Sequence, residues 1–242
     1  MSSFLIKPVS RIKGEVNLAG DKSIAHRCII LSSISQGKTV IENFPTSKDC
    51  LQTIKVFKRL GIKITQEKSK LKTKIVVFGK GLYGLKKPKG PIFVGDSGTT
   101  LRLLLGVLAG QDFKTKLVAG SSLSLRPMFR VTKPLRMMGA VINAKRKTQK
   151  SKLEEYPPIT IKGRDLKSIN YKMPVPSAQV KSAILLAGLY TKGATQVIEP
   201  VRTRDHTERM LKLFKADIEL KQNKIVIKGN RELFSPQRIY IP

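Results

Sequence analysis

Hydrophobic positions along this chain fall into blocks of two kinds that alternate in a fixed order. The stretches 23–34, 99–109 and 177–187 are apolar on nearly every side, and Gly37, Gly110 and Gly188 follow them. Such stretches predict helices buried on all faces. The stretches 49–60, 128–138 and 207–214 carry apolar residues at helical spacing with charges between them, which predicts amphipathic helices packed outside the first set. Short β-branched runs at 74–78, 158–161 and 224–227 predict strands.

These elements recur as one plan. A turn leads to a small hydroxylic residue and an apolar helix, then a glycine-containing break, a β-like run, an amphipathic helix and a closing strand. The three units start near Asp21, Asp96 and Pro176, 75 and 80 residues apart. That period is too long for a small helical solenoid and suits a βαβαββ unit, so the expected class is α/β (α+β). Gly61 and Gly139 stand where the outer helices of the first two units should stop in a left-handed conformation. Lys215 occupies that place in the third unit, so either the cap differs there or a side chain sits in a strained backbone.

The 242 residues are 40% hydrophobic, which is ample for a folded core. Lys and Arg number 47 against 16 Asp and Glu, a formal charge of +31, so the chain should attract anions. Lysine outnumbers arginine and is spread widely, densest at 63–89 and 145–152, where strands and turns are expected. This pattern reads as a solvated surface, with no specific nucleic acid expected. Cys28 and Cys50 offer neither a disulfide framework nor paired metal-ligand spacing. No apolar run reaches the roughly 18 residues needed to span a bilayer, and the first residues lack the apolar core of a signal peptide. A cytoplasmic protein in a reducing compartment, with no membrane contact, is expected.

Candidate chemistry emerges when the starts of the three apolar helices are superposed. Gly20, Asp21, Lys22 and Ser23 lead to Arg27; Gly95, Asp96, Ser97 and Gly98 lead to Arg102; Pro176, Ser177, Ala178 and Gln179 lead to Lys181. Each start pairs a hydroxyl or glycine with a cation one turn on, beside helix N–H groups that lack acceptors and carry partial positive charge. If the helices pack in parallel, three such ends converge, and the natural ligand is a phosphate or carboxylate. Ser23 and Ser177 could equally be simple N-caps. Arg27 and Arg102 lack an acidic residue within one turn, so an external anion would resolve an otherwise unpaired buried charge. Arg126 precedes a helix with Pro127 in its first turn and could be an ordinary surface arginine. Arg204 has Asp205 beside it, so an ion pair competes with ligand binding. His26 and His206 read as bystanders. Lys22 is the single candidate proton-transfer group, since the sequence shows no phosphate-binding loop, nucleophile elbow or metal cluster, and no paired carboxylates in an obvious cleft position.

The segments 20–27 (GDKSIAHR), 95–102 (GDSGTTLR), 125–128 (LRPM), 175–182 (VPSAQVKS) and 203–207 (TRDHT) together resemble the 3-phosphoshikimate 1-carboxyvinyltransferases, also called 5-enolpyruvylshikimate-3-phosphate synthases. The resemblance implies an enolpyruvyl transferase-like fold of βαβαββ repeats. It implies transfer of the enolpyruvyl group of phosphoenolpyruvate to the 5-hydroxyl of shikimate 3-phosphate, on the route to chorismate and the aromatic amino acids, without a cofactor or metal. By motif, Lys22, Ser23, Arg27, Ser177, Ala178, Gln179 and Arg204 are implied contacts of shikimate 3-phosphate. Lys22, Gly98, Arg126 and Gln179 are implied contacts of phosphoenolpyruvate, and Lys22 is the implied catalytic residue. Where the family has the glycine matched by Gly98, glyphosate is admitted beside shikimate 3-phosphate.

Family members usually exceed four hundred residues in two similar domains. The implied arrangement here is an opening strand of a first, mostly absent domain at 1–20, and a complete second domain at 21–239. Its repeats span about 21–90, 91–170 and 171–239, and the return to the first domain starts at 240–242. A truncated or split synthase, inactive alone, is therefore expected, with a chain supplying the missing half as its candidate partner. Two alternatives stand beside this reading: a nucleotide-sugar enolpyruvyl transferase, against which the Asp-Lys-Ser and Ser-Ala-Gln motifs speak, and a basic nucleic-acid-binding module.

Overall fold

The computed structural model describes residues 3–16, 18–68, 73–149, 152–163 and 165–242. The first unit comprises α1 (Lys22–Ser33), β1 (Gln36–Glu42), α2 (Lys48–Arg59), β2 (Lys63–Lys68) and β3 (Thr73–Lys80). The second opens with β4 (Ile92–Phe93) and continues through α3 (Gly98–Ala109), β5 (Lys114–Val118), a 3-10 turn (Leu123–Leu125), α4 (Phe129–Met137), β6 (Val141–Gln149) and β7 (Lys152–Lys162). The third holds β8 (Asn170–Lys172), α5 (Ala178–Gly188), β9 (Ala194–Ile198), α6 (His206–Leu213), β10 (Asp217–Lys221) and β11 (Lys224–Lys228), and β12 (Arg238–Tyr240) follows.

Each unit owns one four-stranded sheet, ordered β12-β1-β3-β2, β4-β5-β7-β6 and β8-β9-β11-β10. The first pair in each sheet is parallel and the other pairs are antiparallel. A strand that crosses through an inner helix returns parallel, whereas hairpin neighbours return antiparallel, so one topology is built three times. The first unit obtains its parallel edge from the far end of the sequence, with Val40 opposite Arg238 and Glu42 opposite Tyr240. Residues 238–239, which sequence analysis assigned to the third repeat, thus pair with the first. Residues 3–16 were expected to form an opening strand. They take no assigned strand or helix, and all of them are exposed.

The expected split between inner and outer helices holds. From Ala25 to Ser33 every residue of α1 is buried, and nearly all of α3 and α5 is buried as well. In α2 the buried residues are Cys50, Thr53, Ile54, Val56 and Phe57, one stripe of an amphipathic helix. At the centre, an added Cβ on Gly106 of α3 would lie 2.3 Å from the backbone oxygen of Ala183 in α5. The absence of a side chain is what lets these two helices touch backbone to backbone.

Candidate active site

The starts of all three inner helices do converge. A pocket of about 200 Å³ is lined by Asp21, Lys22, Ser23, His26 and Arg27 from α1, Thr99 from α3, and Ala178 and Gln179 from α5, with Asp49 and Arg204 at its sides. A larger cavity, about 520 Å³, lies at the opposite helix ends between Gly110, Gln111, Tyr190 and the two aspartates Asp112 and Asp165. Its charges are mixed. Of these two, the smaller pocket is the one that combines helix N-termini with convergent cations, and that is the arrangement an anion requires.

The helix starts are capped, with one correction to the expected cap. Asp21, not Ser23, caps α1, its Oδ1 accepting from Ile24 N at 2.7 Å. Ser23 lies inside the first turn of α1, where its side chain is free to act elsewhere. Ser97 caps α3 and Ser177 caps α5, accepting from Val180 N at 3.3 Å. Ser177 therefore keeps the N-cap role that sequence analysis left open for it.

Arg27 is 3% exposed, yet no carboxylate touches it among the described residues. Its Nε donates to Thr207 Oγ1 at 2.6 Å, Nη1 to the backbone and hydroxyl oxygens of Ser23 at 2.9 and 2.7 Å, and Nη2 to Ser182 Oγ at 2.8 Å. A guanidinium has five N–H donors, so one remains for a ligand. Sequence analysis assigned all of its compensation to an external anion. The protein itself satisfies most of the hydrogen bonds and leaves the charge facing neutral oxygens. Burial pulls this guanidinium down to about 10, with the Glu208 carboxylate opposing that shift and Arg204 adding to it. An anion beside it would restore the balance.

Lys22 is not surrounded only by cations. Its Nζ lies 3.0 Å from Asp49 Oδ2, a partner 27 residues away that no local motif announces. Lys181, the third cation in the superposed starts, does not face the pocket. It is fully buried between Glu199 Oε2 at 2.9 Å and Glu208 Oε1 at 2.5 Å. Arg204 is exposed at the pocket edge and makes no ion pair with Asp205 among the described residues, so its charge is available.

A second group of cations adjoins the pocket. Arg102 donates through Nη1 to Gln179 Oε1 at 2.9 Å, and Gln179 Nε2 donates to Thr99 Oγ1 at 2.9 Å. Burial first, then the neighbouring charges of Arg126 and Arg130, lowers the Arg102 guanidinium. An added Cβ at Gly98 would sit 2.7 Å from Arg102 Nη1, so the bare α3 start is what lets that guanidinium lie against it. The loop bearing Arg126 is held by Asp96 Oδ1, which accepts from Leu123 N at 2.8 Å. Among the described residues, Arg126 Nη2 reaches Ser122 Oγ at 3.2 Å. Gln179 thus links two anion-attracting clusters.

Both histidines touch this region. His26 is buried, and its Nδ1 is 2.7 Å from Thr53 Oγ1, which is itself 2.7 Å from Thr100 Oγ1. This chain ties α1, α2 and α3 together beneath the pocket. Burial lowers His26 to about 4, with Asp49 opposing, so the ring is neutral near pH 7. His206 Nδ1 stands 3.0 Å from Ser23 Oγ. Sequence analysis missed Asp49, His26 and Thr99 as pocket residues, since nothing local marks them. No group of three or more His, Cys, Asp or Glu side chains among the described residues could hold a metal ion, and no helix is long and apolar enough to cross a membrane.

Comparison with known proteins shows the family of the chain. The family model described as EPSP synthase (3-phosphoshikimate 1-carboxyvinyltransferase) matches residues 6–242. The 3-phosphoshikimate 1-carboxyvinyltransferase of Geobacillus thermodenitrificans is 47% identical over 97% of this chain and 52% of its own length. That of Legionella pneumophila is 44% identical over the whole chain and 53% of its own length. A solved EPSP synthase from Acinetobacter baumannii superposes with a TM-score of 0.87 at 41% identity, covering 95% of this chain and 49% of the other. The chain spans about half the length of the curated relatives it matches. It belongs to the EPSP synthase (3-phosphoshikimate 1-carboxyvinyltransferase) family.

Proposed function

We propose that this chain holds shikimate 3-phosphate in the pocket between the three helix starts and receives the phosphate of phosphoenolpyruvate beside Gly98, Arg102 and Arg126. The carrying observation is the convergence of Lys22, Ser23, Arg27, Ala178, Gln179 and Arg204 from separate units on one small pocket, with Ser177 capping the helix that brings Ala178 and Gln179 to it. Lys22, Arg27 and Arg204 supply charge there, and the α1 and α5 starts supply partial positive charge and N–H donors. Gln179, bonded to both Arg102 and Thr99, is suited to touch both ligands.

The reaction of this reading is enolpyruvyl transfer. The 5-hydroxyl loses its proton as its oxygen bonds to C2 of phosphoenolpyruvate and C3 takes a proton, and the tetrahedral adduct then loses phosphate and a proton from C3 to restore the double bond. Positive charge at Arg102 and Arg126 would hold the departing phosphate. Lys22 is the candidate proton carrier, but its ammonium is engaged by Asp49, and His26 is neutral and hydrogen bonded to Thr53. Binding without turnover is therefore the expected behaviour of the chain assayed by itself, and turnover would draw on groups supplied by a further chain or segment. Glyphosate would occupy the Gly98 side in place of phosphoenolpyruvate. Both cysteines are buried free thiols, in keeping with a reducing cytoplasm.

Calorimetric titration with shikimate 3-phosphate at physiological salt, where exposed charges are screened beyond about 8 Å, tests the reading. Saturable binding that inorganic phosphate does not match is expected, weakened at least about tenfold in Arg27→Ala and Ser177→Ala by loss of a charge or a helix cap. Binding that phosphate reproduces, and that decays steeply as salt rises, would instead mark diffuse attraction by the net charge.

A further inference from the structure

Lys181 takes the place in α5 that Arg27 takes in α1 and Arg102 in α3, but its charge is consumed internally. Glu199, just beyond β9, and Glu208, in the first turn of α6, are each 2% exposed or less, and both grip the lysine ammonium. The backbone of Glu199 is pinned in turn, because its N–H donates to Asn223 O at 2.9 Å and its carbonyl accepts from Asn223 Nδ2 at 3.0 Å. The second carboxylate oxygen of Glu199 points the other way along the chain. Its Oε1 accepts from the backbone N of Thr203 at 3.2 Å and from Thr203 Oγ1 at 2.5 Å. Thr203 is the residue before Arg204.

This arrangement is more than charge neutralisation. A buried ion pair contributes little net stability over an apolar replacement, but it imposes one geometry on the elements it joins. Here the geometry runs from the first turn of an inner helix, through Glu199, to the exposed loop that carries Arg204. Glu208 fixes the other flank of that loop. The same first turn of α6 presents His206 to Ser23 and Thr207 to Arg27.

We infer that the Lys181–Glu199–Thr203 bridge is a positioning device that holds Arg204 over the pocket for the anionic substrate. The inference rests on the pocket assignment of the preceding section. Lys181→Met would leave two buried carboxylates unpaired and could prevent folding, so the informative variants are at Thr203. Thr203→Val removes one hydrogen bond to Glu199 Oε1 while leaving the Thr203 backbone bond and both Lys181 ion pairs in place, and Thr203→Ser retains the hydroxyl donor.

The test is a double-variant cycle on shikimate 3-phosphate affinity, measured by calorimetry with Thr203→Val, Arg204→Ala and their combination. Thr203→Val should weaken binding about tenfold, the scale of one hydrogen bond to a charged group. It should cause no further loss in the Arg204→Ala background, and Thr203→Ser should bind like the unaltered chain. Multiplying losses, an unaffected Thr203→Val, or an Arg204→Ala variant that binds normally would each overturn the inference. If the unaltered chain does not bind shikimate 3-phosphate, the pocket assignment fails. The bridge is then judged by tryptic cleavage after Arg204: faster cleavage in Thr203→Val supports it, and an unchanged rate refutes it.

Discussion

Ser23 is committed by its two neighbours. Arg27 Nη1 can only donate, so Ser23 Oγ accepts from it, and His206 Nδ1 shares the same hydroxyl at 3.0 Å. Burial and the nearby Arg27 charge lower the His206 ring, which favours its neutral form. His26 allows a sharper pH prediction. Its folded value of about 4 lies below the ordinary 6.5, so between these two values the unfolded chain binds more protons and stability rises with pH. Acidification from pH 7 to 4 should therefore remove up to about 3 kcal/mol through this one group. Denaturant unfolding at both pH values should show a smaller loss in His26→Gln than in the unaltered chain, and parallel losses would exclude His26 as the source. At Gly98 an added methyl must displace the Arg102 guanidinium. With shikimate 3-phosphate present, Gly98→Ala should weaken glyphosate binding more than shikimate 3-phosphate binding; equal losses in competitive titration would contradict this. At this scale the contiguous motifs were readable because cap, hydroxyl and cation follow one another at helical spacing. Asp49, His26 and Thr53 were not, because their partners lie on other helices.

The three outer helices end in one way. Gly61, Gly139 and Lys215 all have positive φ, at 87°, 108° and 65°. In each case that residue and the next donate back to the last turn, as Lys215 N does to Lys212 O and Ala216 N to Leu211 O, which is the Schellman arrangement. The exception noted in the sequence is thus a left-handed lysine, which costs about 1–2 kcal/mol relative to a residue without a Cβ. Lys215→Gly should stabilise the chain by about 1 kcal/mol and raise Tm by about 2–4 °C, as read in a thermal melt. Gly139→Ala, where the new Cβ would meet nothing closer than 3.6 Å, should shift Tm in the opposite direction for conformational reasons alone. Elements were legible because burial periodicity and stop signals are local properties. The cap of α1 was misassigned by two residues, because both Asp21 and Ser23 can cap and only the backbone at Asp21, φ −59° and ψ 127°, decides between them.

Across the whole molecule, contact between α3 and α5 determines whether the clusters on the two sides of Gln179 meet. Gly106→Ala would force the two backbones apart and should destabilise the fold by about 1–3 kcal/mol, the usual penalty for overpacking. It should also weaken shikimate 3-phosphate binding by disturbing the Gln179 bonds to Arg102 and Thr99; chemical denaturation and titration of the same variant measure both effects. The sequence by itself determined the threefold plan, the inner and outer helices, and the residues gathered at three helix starts. Each of those rests on spacing along a single element. Tertiary structure alone decided that β12 completes the first sheet, that Lys181 is neutralised by Glu199 and Glu208, and that Lys22 meets Asp49. Those pairings join residues up to nearly two hundred positions apart. Strand-edge and charge partners of that kind are chosen by which surfaces packing brings together, and no periodicity within the chain encodes them.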